Sequence, residues 1–443
     1  MKRARTMSDL RGFSRLAVEA TVAMTDLVEE VHRSVTTLPE VGAPDPARRK
    51  RMRGLTGFVY RTIRTITHWV GHSVDGGLAQ LQPLLLAQPA VLSAPPAVAG
   101  SVSPHRDAIL AALNGVLGDH LEATRNPLAI PMQFRRAGVA LDPAKERGSR
   151  ILLLVHGLCR SDLGWLRKGH DLGANLAAEL GFTPVYLHYN SGRAIAANGR
   201  ELAMRLESLV ADWGEPVSEI VVVAHSMGGL VMRSACRVAE DERLAWRDRL
   251  RKIVFLGTPH HGAPLERGGN WVTLALDKSS YTAAFARLGR IRSAGITDLR
   301  FGQVLPLRER DRFAPGRGLG DMLPLPRGVA CYAIAATLAK DPASAPLPGV
   351  MASAKSVLGD GLVPITSALG DDADPVRQLG IPADRRFVAY GTSHLDLLSQ
   401  SELGDRIRSW LMVSNTTPAE SGIETRGRVE PRSGRRDVSS PVG

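Results

Sequence analysis

From residue 151 onward the chain is punctuated by short runs built almost wholly from apolar residues: ILLLVHG, PVYLHYN from 184, EIVVVAHS from 219, KIVFLGTP from 252, GVACYAIAA from 328 and RFVAYGTSH from 386. These runs do not alternate apolar with polar residues, and a strand without alternation is one buried on both faces. Helix-length segments such as GANLAAEL and ELAMRLESLVADW separate several of the runs. Strands covered on both sides and joined through helices make a doubly wound, mostly parallel sheet, so the expected class is α/β.

One junction carries more than fold. EIVVVA reads as a central strand and MGGLVMRSACRVAE as the helix after it, with Ser226 at the bend between them. A sharp strand-to-helix turn needs small residues two before and two after the exposed side chain, and Ala224 and Gly228 stand there. The new helix leaves unpaired N–H groups beside that side chain, so the Met227 N–H is a candidate oxyanion donor. A second donor must come from the loop after another strand; LLLVHGLCRSD supplies it, with the Leu158 N–H as the candidate. A serine hydroxyl is a weak nucleophile, and it needs a base and an acid that orients the base.

These motifs carry a resemblance. The stretch from about Gly148 to Met412 resembles the α/β-hydrolase superfamily, particularly lipases and esterases with VHG and HSMGG motifs, and it looks like lipases of the GPI inositol-deacylase type. GTPHHGAP, Gly257 to Pro264, strengthens the likeness, since related lipases carry a GTPHxG element at this place. The chain departs from the G-x-S-x-G pattern only in having Ala224 first.

The resemblance implies a chain order of Ser, then acid, then His. His394, after one apolar run and before a closing helical segment, is then the base. Asp360, between Gly359 and Gly361 in a loop like that of these lipases, is the acid, with Asp341 as the alternative. His260 and His261 precede the acid and read as pocket-shaping residues; His156 and His225 flank backbone turns, and Asp371 and Asp372 read as solvated loop acids. The implied reaction is cleavage of a carboxylic ester, lipid-like in character, through an acyl-serine, without metal or organic cofactor. Acyl transfer or thioester cleavage by the same triad is the alternative, and a membrane-associated scaffold without catalysis is the rival outside enzymes.

The remaining chain divides by composition. Residues 1–90 are expected to be a basic helical region, 91–105 a Pro- and Ala-rich linker, 106–413 the hydrolase domain with a helical cap inserted at about 265–327, and 414–443 a disordered tail. In the first region, Leu10, Phe13, Leu16, Ala20, Leu27 and Val31 within Ser8 to Val35 have helical spacing, as do Leu55, Val59, Ile63, Ile66 and Val70. Ala47 to Val74 holds Arg48, Arg49, Lys50, Arg51, Arg53, Arg61 and Arg64 without an acid, within a chain of net charge +12. Peripheral contact with an anionic membrane is one expectation for this segment and packing on the domain the other; no nucleic-acid module is present. Prolines 83, 89, 95, 96 and 104 interrupt the apolar stretch from Gly76 to His105, which therefore cannot span a bilayer.

A further helical stripe, Ile109, Leu113, Val116, Leu117 and Leu121, has His120 beside it as a neighbour and not a ligand. Cys159, Cys236 and Cys331 form no paired motif, which fits a reducing compartment, and the N-terminus has no secretory h-region; a cytoplasmic protein, peripheral at the inner face of the membrane, is expected. Trp271, Leu274, Tyr281, Phe285, Leu288 and Ile291 of the cap are candidates for lining an acyl pocket. The loop from His188 to Arg200 is a candidate for substrate contact, with Asn198-Gly199 as a simple turn the alternative.

Overall fold

The computed structural model describes residues 8–22, 26, 64–67, 104–263, 293–306, 323–341 and 359–413. Its strands in chain order are β1 (Gln133–Arg136), β2 (Val139–Ala140), β3 (Arg150–Val155), β4 (Leu166–Arg167), β5 (His170–Asp171), β6 (Thr183–His188), β7 (Glu219–His225), β8 (Leu250–Leu256), β9 (Ala330–Ala336) and β10 (Arg386–Ala389). The α-helices used below are α1 (residues 8–22), α2 (Pro104–Ala123), α3 (Leu172–Leu180), α4 (Ile195–Ala211), α5 (Met227–Glu242), α6 (Ala294–Phe301), α7 (Ile365–Leu369) and α8 (Ser401–Met412).

Each apolar run contributes a strand to one eight-stranded sheet, ordered β10-β9-β8-β7-β3-β6-β1-β2. Pairing is parallel from β10 to β6, while β1 and β2 close one edge antiparallel. The sequence QFRR of β1 carries no apolar run, in keeping with its four half-buried residues one strand in from the edge strand β2. From β3 the chain builds outward to β6, then crosses back to place β7 on the other side of β3. Such a reversal opens a crevice at the carboxyl ends of the two strands. The register sets Val155 beside Ala224 and Ala224 beside Phe255, so the loops leaving β3, β7 and β8 emerge together.

Successive strand residues feed opposite layers. Leu153, Val155, Val222, Ala224 and Phe255 pack with α2, α4 and α5, whereas Leu152, Leu154, Val221, Val223 and Leu256 pack with Leu172 and Leu176 of α3 and Leu403 and Ile407 of α8. Truncating any one of these large aliphatics to Ala should cost about 2–5 kcal/mol. Lys252, buried on β8, donates from Nζ to the carbonyls of Trp410 (3.0 Å) and Leu411 (2.9 Å), capping the end of α8. The doubly wound, mostly parallel sheet covered on both faces is of the α/β class that the apolar runs led us to expect.

The N-terminal helix α1 is present, but its packing face differs from the apolar stripe. Leu10 is 50 % and Phe13 39 % exposed. The helix docks instead through Asp9, Gly12, Leu16 and Glu19, spaced by three or four residues: Asp9 pairs with Arg106, Asn126 Nδ2 donates to the Gly12 carbonyl (3.1 Å), Leu16 packs on the core, and Glu19 meets His120 at 2.7 Å. Ion pairs and a close backbone approach set this face, which a hydrophobicity pattern does not register.

In the basic segment only residues 64–67 are described; there Arg64 is buried against Asp26 at 2.6 Å while Ile66 is 56 % exposed, the reverse of the expected faces. The other basic residues of that segment, residues 68–103, the expected pocket-lining residues Trp271, Leu274, Tyr281, Phe285, Leu288 and Ile291, and residues 414–443 lie outside the described residues, as do Leu27 and Val31. Among the described residues no helix is long and apolar enough to cross a membrane.

Candidate active site

A small cleft opens where β3 and β7 end, lined by Gly157, Leu158, Arg160, His225, Ser226, Leu362, His394 and Leu395. Ser226 sits between β7 and α5 with φ 56° and ψ −129°, a conformation non-glycine residues seldom adopt. Such strain costs about 1–3 kcal/mol and persists only where the surroundings enforce it. Here the Ser226 N–H donates to the Leu256 carbonyl (2.8 Å), and its own carbonyl accepts from Gly229 (3.1 Å). Close packing does the rest: a Cβ on Gly157 would lie 2.8 Å from Ser226 Cβ, and one on Gly228 would lie 2.5 Å from the Val155 carbonyl oxygen.

Across the cleft, His394 Nδ1 lies 2.6 Å from Asp360 Oδ2, with both side chains buried. The other carboxylate oxygen of Asp360 accepts from the Leu362 N–H (3.0 Å) and the Val363 N–H (2.8 Å), so the loop fixes the acid before the histidine meets it. The His394 N–H in turn donates to the Asp360 carbonyl (3.1 Å). A carboxylate opposite Nδ1 keeps the proton on that nitrogen and leaves the Nε2 lone pair toward the cleft. Nε2 has no hydrogen-bond partner among the described residues, so Ser226 Oγ and His394 Nε2 share the cleft without being bonded. Hydrogen bonds between catalytic groups commonly tighten only when substrate arrives.

Asp341 is exposed in the segment after β9, and Asp360 is the carboxylate that lies against His394. Asp371 pairs with Arg386 at 2.7 Å and Asp372 with Arg377 at 3.1 Å. His260 is buried behind α5, where its Nδ1 accepts from Arg233 (3.3 Å), and burial lowers its pKa well below the usual histidine range. His261 does not line the cleft either. The GTPHHG segment nonetheless meets the site, because a Cβ on Gly257 would lie 3.1 Å from both Cε1 and Nδ1 of His394.

The loop carrying Leu158 is held from below. Cys159 adopts φ 59° and its N–H donates to Ser191 Oγ (3.0 Å). Asp162 lies 2.9 Å from His188 Nδ1 and 3.4 Å from Arg135. Burial works against the Asp162 carboxylate, but His188 and Arg135 outweigh it and its pKa falls below the ordinary value. His156 stacks on Tyr189 with ring centroids 4.4 Å apart, and burial drives its pKa down to about 3.

Two expectations for the loop after β6 are corrected. Asn190 and Ser191 are buried beneath α2 and away from the cleft lining, and Asn198-Gly199 lies inside α4, with Asn198 Nδ2 donating to the Asn190 carbonyl (2.9 Å). Local turn chemistry is overridden there by packing of α4 on α5. Among the described residues no cluster of three or more His, Cys, Asp or Glu has a metal-binding arrangement.

A family model described as a domain of unknown function, DUF7379, matches residues 129–300. Comparison with curated proteins gave no match. Among solved structures, the chain is similar to the mature form of a Bacillus licheniformis lipase, at 17% identity over 63% of this chain and 97% of that one, with a TM-score of 0.37. It is similar to a lipase-esterase related protein from Clostridium acetobutylicum at 12% identity, over 63% of this chain and 98% of that one, with a TM-score of 0.33. It is also similar to Aspergillus fumigatus lipase B at 13% identity, over 90% of this chain and 83% of that one, with a TM-score of 0.35.

Proposed function

We propose that this protein is a serine hydrolase that cleaves a carboxylic ester through an acyl-serine intermediate. The observation that carries this reading is the buried His394–Asp360 pair at 2.6 Å, facing the same cleft as a serine held at a strained strand-to-helix bend.

In the proposed cycle, His394 Nε2 takes the Ser226 hydroxyl proton as Oγ bonds to the ester carbonyl carbon. The resulting oxyanion is received by the N–H groups of Leu158 and Met227. Asp360 stabilises the imidazolium and holds its orientation without taking the proton. The tetrahedral species collapses, His394 hands its proton to the departing alkoxide, and an alcohol leaves. Water, deprotonated by His394, then attacks the acyl-serine, releasing the acid and regenerating Ser226. The apolar wall formed by Leu158, Leu362 and Leu395 supports an acyl group of lipid-like character in the cleft.

Ser226→Ala should lower kcat by a factor on the order of 10⁶ in ester hydrolysis, with the thermal unfolding midpoint retained. A fluorophosphonate probe should label the wild-type chain at Ser226 and leave the variant unlabelled. Undiminished ester cleavage by the pure variant would overturn the reading.

A further inference from the structure

We infer that His225 is a positioning residue that fixes His394 from the strand that presents Ser226. This rests on the reading of Ser226, His394 and Asp360 as the reacting constellation, and it assigns work to a residue that local sequence context marks only as a neighbour of the turn.

His225 is the last residue of β7 and is buried, at 2 % exposure. Its Nε2 lies 3.1 Å from the His394 carbonyl oxygen, and the two rings stand 4.8 Å apart at 44°. A carbonyl oxygen only accepts, so Nε2 carries the proton and donates. Burial, reinforced by the neighbouring His394, keeps His225 neutral by lowering its pKa well below the usual value. Its Nδ1 makes no hydrogen bond among the described residues, which leaves the bond to His394 as the contact that gives the ring its direction.

The other backbone ties on this loop run the opposite way across the sheet. The Thr392 N–H donates to the Thr337 carbonyl (2.9 Å), and the His394 N–H donates to the Asp360 carbonyl (3.1 Å). Both pull the loop toward β9 and the acid. The His225 bond pulls the same residue toward β7, the strand whose next residue is Ser226. Nucleophile and base are thereby referenced to one strand end, one through the main chain and the other through an imidazole. Without that tie, His394 keeps its partnership with Asp360 but loses the restraint that sets Nε2 relative to Ser226 Oγ.

The test uses the full-length chain with p-nitrophenyl butyrate, a fluorophosphonate probe and proton NMR of the imidazole N–H signals. His225→Leu should lower kcat about 100-fold, the scale of a misplacement near 1 Å, with KM changed by less than about two-fold. His225→Gln, whose Nε2 amide sits at nearly the distance of the imidazole Nε2, should restore kcat to within about ten-fold of wild type, the scale of one neutral hydrogen bond. The downfield His394 Nδ1–H signal should stay sharp in wild type and His225→Gln and broaden in His225→Leu. If His225→Leu does not fold, His225→Asn replaces it: its shorter amide cannot reach the carbonyl and should be as slow as predicted for the leucine variant. Leucine or asparagine variants with wild-type kcat, or a glutamine variant no better than they are, overturn the proposal while labelling of Ser226 in the wild type leaves the hydrolase reading standing. A wild-type chain that neither labels nor cleaves removes both.

Discussion

The two flanks of Ser226 are built on different principles. On the flank proposed to receive the oxyanion the group that matters is a peptide N–H, and a peptide can be aimed only by shaping the chain around it. There the structure relies mainly on close packing, Gly157 against Ser226 and α2 against Cys159 at Gly115, with a single hydrogen bond from the Cys159 N–H to Ser191 Oγ. On the histidine flank the group that matters is an imidazole at the tip of a loop, and it is aimed by directed hydrogen bonds to Asp360 and from His225. Shape therefore governs one side of the nucleophile and polar pairing the other. Substitutions should divide the same way, volume changes harming the first flank and isosteric changes of hydrogen-bonding character harming the second.

The sharpest break in this contrast is Asp360→Asn. The amide is isosteric and still accepts from the Leu362 and Val363 N–H groups through its oxygen, so the loop should survive. Its nitrogen, however, donates where the carboxylate accepted, and the imidazole answers by moving its proton to Nε2, where it can no longer receive one from serine. A loss of about 10⁴ in kcat is expected, with the unfolding midpoint in urea nearly unchanged. A loss below ten-fold would mean that polar pairing does not govern this flank.

A smaller effect, of the opposite kind, is expected from Gly115→Ala. The added Cβ would stand 2.1 Å from Cys159 Sγ and 2.9 Å from the Cys159 backbone nitrogen and Cα, so the loop must shift. Cys159 already occupies the left-handed region and follows Leu158 directly, so the displacement is passed to the proposed donor. We expect kcat/KM to fall about 10- to 100-fold, less than the deletion of an oxyanion donor, and the affinity of a trifluoromethyl ketone to fall in step because both measure transition-state binding. Ser191→Ala, which removes the acceptor of the Cys159 N–H without adding volume, should have a milder effect in the same direction. If Ser191→Ala proves the more harmful, hydrogen bonding and not shape controls this flank as well.

The same contrast explains what could be read from the sequence. The positions of Ser226, Asp360 and His394 around one cleft were legible because each sits next to its own strand or between its own glycines, and the apolar runs announce the strands that carry them. The supports were not. Ser191 braces a residue 32 positions away and His225 bonds one 169 positions away, so neither bond has a local signature. His225 was in plain view but read as turn context, since only the folded sheet brings β10's loop over β7. The docking face of α1 was hidden for a related reason: Asp9 and Glu19 are polar, and the pattern of Leu10 and Phe13 pointed elsewhere.

Acid should expose what the two flanks share. His156 on the oxyanion side and His225 on the histidine side are both buried and neutral, as is His260 behind α5. Each has a folded pKa below its unfolded value of about 6.5, so the unfolded chain binds more protons as pH falls. Their contribution to stability is therefore intact above pH 6.5 and is lost below it, by up to about 1.4 kcal/mol per pH unit for each ring. For His156 the loss continues to about pH 3, where the folded protein also titrates. Asp162, whose pKa is lowered, adds to the loss only below about pH 4, which leaves the window from pH 6 to 5 to the histidines. Urea unfolding at pH 7 and pH 5 should show His156→Gln losing about 2 kcal/mol less stability over that interval than the wild type, and His225→Gln should show a similar saving. Equal savings would mean that the two flanks, though aimed by different means, carry the same buried-imidazole cost; a saving for only one would locate acid sensitivity on that side of Ser226.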